Sequence, residues 1–125
     1  MTRTLKGRRI LLVEDSPVVS DFARDALEEL GCETVGPAAN LASARELATE
    51  ADIDGAIVDL RIRGDKSFGI CDILASRGVP FVLTSGYADW TIPDALKEWP
   101  QLPKPYTVDD IEAALGKLFG VDSSQ

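Results

Sequence analysis

Ile10-Leu11-Leu12-Val13-Glu14-Asp15-Ser16-Pro17 is the stretch on which the fold turns. Its first four residues form an apolar run bounded by acids, which reads as a short strand buried on both faces. Ser16 then offers an N-cap oxygen. Pro17 suits the first helical position, where its missing N–H is not needed. Apolar side chains return at Val19, Phe22, Ala23, Ala26, Leu27 and Leu30, on one helix face, and Gly31 closes the helix. A buried strand that feeds an amphipathic helix is half of a β–α–β unit, and such units build parallel sheets covered by helices.

The same rhythm continues outward. Glu33 to Val35 predicts a second, weaker strand. Asn40 caps a helix that carries Leu41, Ala44, Leu47 and Ala48. Ala56 to Val58 predicts a third strand ending at Asp59, followed by a loop and a helix from Phe68 to Leu74. Pro80 to Leu83 is a fourth strand. Between Ala88 and Trp99, Pro93 leaves room only for a short or irregular fourth helix. Gln101 to Pro103 is a fifth strand. Thr107, with Asp110 as its capping-box partner, opens the last helix, whose inner face is Val108, Ile111, Leu115 and Leu118. Gly36-Pro37 reads as a turn. The expected fold is α/β, a doubly wound five-stranded parallel sheet.

The 125 residues fit a single domain, with a core from about 9 to 119 and residues 1–8 and 120–125 expected to fray. The longest apolar run is far short of the ~18 residues a membrane span needs. The basic start, Met1 to Arg9, leads into no signal-peptide stretch, so a cytoplasmic protein with no membrane association is expected. Cys32 and Cys71 lack CxxC spacing and read as small buried thiols. A formal net charge of -8 argues against direct nucleic-acid contact. The absence of histidine excludes histidine acid–base chemistry, histidine metal ligation and carriage of a phosphohistidine by this chain.

Open parallel sheets bind ligands outside the carboxyl ends of their strands. Strand one ends in Glu14-Asp15, strand three in Asp59, strand four in Thr84-Ser85, and Lys104 follows strand five. Taken singly, each has an ordinary reading as a cap, a turn or a solvated charge. Their coincidence at four strand ends points to one site. Two carboxylates ~4 Å apart repel by ~4 kcal/mol at an effective dielectric of ~20. A hard divalent cation such as Mg²⁺ removes that repulsion through oxygen ligands. Asp59 can then attack phosphorus, with Lys104 and Thr84 meeting the other phosphoryl oxygens. No glycine-rich nucleotide loop occurs.

Ile10-Leu-Leu-Val-Glu-Asp-Ser-Pro17, Ala56-Ile-Val-Asp-Leu60, Val82-Leu-Thr-Ser-Gly86 and Pro103-Lys-Pro-Tyr106 resemble the four signatures of response-regulator receiver domains. The resemblance implies a flavodoxin-like receiver fold with strand order 2-1-3-4-5. It implies that Asp59 is the phosphoacceptor, with Thr84 as switch hydroxyl and Lys104 contacting the phosphoryl group. It further implies that Asp15, Asp59 and the backbone carbonyl of Arg61 bind Mg²⁺ directly, with Glu14 acting through water. The partners implied are a histidine kinase or a histidine phosphotransfer protein as donor and a downstream protein as receiver of the signal. The chain would catalyse only its own phosphorylation and dephosphorylation.

Two departures stand out. Ile62-Arg63 replaces the family's Met-Pro after the acceptor. Gln101 occupies the place of the switch aromatic, for which Tyr87 or Trp90 are candidate substitutes. A degenerate receiver that binds partners without phosphorylation is one alternative. A Mg²⁺-dependent aspartyl phosphatase is another, but Arg61 stands where its second acid belongs.

Overall fold

Alternation along β1 (Arg9–Val13) sets the architecture. Ile10 and Leu12 point to one face of the sheet, Leu11 and Val13 to the other, and all four are buried. A strand apolar on both faces needs helices on both. The computed structural model describes residues 5–86 and 92–120. It supplies those helices in chain order: α1 (Pro17–Glu29), β2 (Glu33–Ala38), α2 (Leu41–Glu50), β3 (Gly55–Asp59), the short β4 (Arg61–Ile62) and β5 (Asp65–Lys66), α3 (Phe68–Ser76), β6 (Phe81–Ser85), β7 (Gln101–Pro103) and α4 (Val108–Phe119).

The main sheet is parallel and five-stranded, in the order β2-β1-β3-β6-β7. This is the expected order 2-1-3-4-5, renumbered for the two short strands. On one face Leu11, Val13, Ala56, Val58, Phe81 and Leu83 pack against Ala44 and Ala48 of α2 and Ile70 and Leu74 of α3. On the other, Ile10, Leu12, Ile57 and Val82 meet Ala23 and Leu27 of α1 and Ile111 and Leu115 of α4. The helices start as the sequence indicates. Ser16 Oγ accepts the Val19 N–H, and Asn40 Oδ1 accepts the Ser43 N–H. Thr107 and Asp110 exchange both bonds of a capping box.

Some expectations need correction. Gly36-Pro37 is not a turn but lies inside β2, which runs on to Ala38. An edge strand tolerates proline, which removes only a ladder donor. Gly36 has φ 99°, and a Cβ there would fall 2.8 Å from Ala38 N and 3.0 Å from Leu12 O, so the chain passes only as glycine. The segment after Asp59 is not a plain loop: β4 and β5 pair as an antiparallel two-stranded hairpin. Phe22 belongs to the rim of α1's inner face and is 40% exposed. Before β7, the helical structure among the described residues is one 3₁₀ turn, Asp94–Leu96, and Trp99 packs on Phe81 with ring centroids 4.3 Å apart. Cys32 and Cys71 are buried, free thiols, and burial pushes Cys71 up to about 12.

Candidate metal and phosphoryl site

Parallel register brings the strand ends together. Asp59 lies beside Thr84 in the β3–β6 ladder, Thr84 lies beside Leu102 in β6–β7, and the Lys104 N–H donates to Ser85 O at 2.8 Å. Glu14 follows β1 directly, and its N–H donates to Ala38 O. Glu14 and Asp59 are buried, at 2% and 3% exposure, and Asp15 is half-buried. One carboxylate oxygen from each lies within 4.8 Å of the others.

Lys104 balances this acidity. Its Nζ stands 2.8 Å from Glu14 Oε1 and 2.5 Å from Asp59 Oδ2. Burial alone would lower the Lys104 pKa, but hydrogen bonds and charge from Asp59 and Glu14 outweigh it and hold the ammonium above its ordinary range. Burial raises the Glu14 carboxyl above its ordinary value, and the bonds from Lys104 and the Ser16 N–H only partly offset this.

The sequence-derived residues therefore meet. Asp59 Oδ1 accepts the Arg61 N–H at 3.2 Å, so Arg61 touches the acceptor through its amide. Thr84 is 1% exposed, and its Oγ1 has no hydrogen-bond partner among the described residues. Gln101, at the expected place of an aromatic, donates instead to Trp99 O and Leu96 O and so ties down the segment before β7. Tyr87 and Trp90 lie outside the described residues.

Three participants escaped the sequence reading. Ser67, 1% exposed, donates its hydroxyl to the Asp59 carbonyl at 2.5 Å. Its position ahead of α3 signals an N-cap, yet it makes no side-chain cap bond, because the hydroxyl is engaged at the acceptor. Arg63 is tied to the mouth: its N–H donates to Asp15 Oδ2 and its Nε to Ala39 O. Tyr106 is buried, and burial, reinforced by the Glu14 charge, pushes its phenol up to about 12.

Three clustered carboxylates, two of them buried, form an all-oxygen donor set, which suits a hard divalent cation. The sequence pattern of the response regulator receiver domain matches residues 10–115. The chain belongs to the response regulator receiver family. This receiver resembles the solution structure of SdrG from Sphingomonas melonis Fr1 at 34% identity and TM-score 0.82, over 93% of this chain and 98% of that one. It shares its fold with the magnesium-bound receiver domain of the sensor histidine kinase PA1611 from Pseudomonas aeruginosa PAO1, at 22% identity and TM-score 0.75, over 91% and 98% of the two chains. The receiver domain of PhyR from Erythrobacter litoralis has the same fold at 20% identity and TM-score 0.76, over 97% and 96%. Among curated protein sequences none matches. The receiver thus has a role in two-component phosphorelay signalling. Among its described residues no helix is long and apolar enough to cross a membrane.

Proposed function

We propose that this receiver takes a phosphoryl group from the phosphohistidine of a histidine kinase or histidine phosphotransfer protein onto Asp59, in a Mg²⁺-dependent reaction in the cytoplasm. The observation that carries the reading is the buried Glu14–Lys104–Asp59 bridge with Asp15 beside it. Bound through Asp15, Asp59 and the Arg61 carbonyl, with Glu14 acting through water, Mg²⁺ would neutralise charge on the carboxylates and the phosphoryl oxygens.

The chain's own groups account for the rest. The Asp59 carboxylate supplies the attacking oxygen. As the O–P bond forms, the donor's P–N bond breaks and its electron pair returns to the imidazole nitrogen of the protonated ring, which leaves neutral. Lys104 Nζ, already 2.5 Å from Asp59, shifts its charge toward the transferred oxygens. The Thr84 hydroxyl, buried beside Asp59 without a partner among the described residues, donates to one of them. The Ser67 bond to the Asp59 carbonyl holds the acceptor's backbone in place. The chain's catalysis is confined to its own phosphorylation and dephosphorylation.

A donor must lay its imidazole at this mouth. Beside Lys104 runs an apolar groove of about 630 Å³ bordered by Val18, Phe22, Pro105 and Tyr106. Val18 is 79% exposed there. This groove is the proposed seat of the donor, while residues 87–99 and α4 carry the changed state to a downstream protein.

The test is intact-mass analysis after incubation with acetyl phosphate. One Mg²⁺-dependent phosphoryl per chain is expected for the native protein and none for Asp59→Asn. Full labelling of Asp59→Asn would move the acceptor elsewhere. Steady turnover of phosphomonoesters would favour a phosphatase instead.

A further inference from the structure

Ile62 pairs with Asp65, so Arg63-Gly64 is the two-residue loop of the β4–β5 hairpin. Both loop residues have positive φ, 52° and 84°. Such turns favour Asn-Gly, and an arginine in the left-handed region costs about 1 kcal/mol. Two contacts hold it there. The Arg63 N–H donates to Asp15 Oδ2 at 2.7 Å, and its Nε donates to Ala39 O at 3.1 Å. One residue thus ties together the segments that follow β1, β2 and β3 at the acidic mouth.

We propose that Arg63 is a positioning residue for the cation site: its guanidinium, anchored on Ala39, holds the hairpin so that the Arg63 N–H fixes the Asp15 carboxylate. The inference rests on the reading that Asp15 holds a divalent cation. It makes a prediction opposite in sign to simple electrostatics. A positive charge on the residue bonded to Asp15 repels a cation held there, so deleting it should tighten binding. If positioning dominates, deleting it weakens binding, because partners that orient a ligand strongly affect metal affinity.

Arg63→Gly separates the two. Glycine keeps the N–H, accepts φ 52° without strain, and removes both the Ala39 anchor and the charge. Isothermal titration with Mg²⁺ should give a Kd raised roughly tenfold. The metal-free melting temperature should be unchanged or higher. In the metal-free protein, hydrogen exchange at the residue 63 amide should be slow in the native chain and faster in the variant. A Kd equal to or below the native value overturns the proposal. So does a metal-free melting temperature that falls in step with affinity, since Arg63 would then be merely structural. If the native protein binds no Mg²⁺, the proposed function fails first.

Discussion

Replacing Lys104 with methionine removes the cation that separates two buried acids. Glu14 and Asp59 would keep carboxylate oxygens within 4.8 Å of each other. At an effective dielectric of ~20 that repulsion is about 3.5 kcal/mol. One escape is to protonate Glu14, whose carboxyl burial already raises above its ordinary 4.5. Relative to an unfolded chain with that ordinary value, drawing the proton at pH 7 costs about 3 kcal/mol. The two limits agree, so the metal-free variant should lose about 3 kcal/mol. For a domain of 125 residues this is roughly 10 °C in melting temperature. The loss should shrink as pH falls toward 4.5, because the proton then comes free. Millimolar Mg²⁺ should restore more stability to Lys104→Met than it adds to the native protein, because a cation now relieves an uncompensated pair. Thermal melts at pH 5 and pH 7, with and without Mg²⁺, check all of this. A metal-free variant that melts within about 2 °C of the native protein at pH 7 would refute the reasoning, since no buried charge would then have been stranded.

Other substitutions probe single contacts. Ser67→Ala strands the Asp59 carbonyl, and chemical unfolding should show a loss of about 1–3 kcal/mol together with slower labelling by acetyl phosphate. Gly36→Ala meets both a positive φ and backbone atoms at 2.8 and 3.0 Å, so it should cost more than about 2 kcal/mol in the same assay. Tyr106 should ionise only near about 12 in the folded protein. Its folded pKa lies above the ordinary 10.0, so its contribution to stability is complete below that value and is lost as pH rises through the folded one. An ultraviolet phenolate titration of native and Tyr106→Phe proteins should show the late step only in the former.

The sequence made the scaffold legible because its periodicities are local. The Ile10–Val13 run, the Ser16, Asn40 and Thr107 caps and the apolar faces of the helices each report on their own segment. Parallel register then carries Glu14, Asp15, Asp59, Thr84 and Lys104 to one mouth, which is why a motif reading of the site met the geometry. The missed features depend on distant partners. Pro37 reads as a turn until β2 is seen to be an edge strand. Ser67 reads as a loop residue until the Asp59 carbonyl arrives eight residues away. The hairpin at Arg63 lacks an Asn-Gly signal, because the Arg63 backbone is held by Asp15 and its side chain by Ala39, 48 and 24 residues distant. Phe22 shares the helical face by spacing, yet it sits where α1 overhangs the mouth and meets Tyr106 at 6.0 Å.

A crystal structure of the protein with Mg²⁺ and beryllofluoride, a stable mimic of the phosphoryl group, tests the central claim most directly. Beryllium is expected on one oxygen of Asp59, its fluorides met by Thr84 Oγ1 and Lys104 Nζ, with a single cation held by Asp15, Asp59 and the Arg61 carbonyl. Beryllofluoride on another carboxylate, or a cation bound without Asp15 and Asp59, would contradict it.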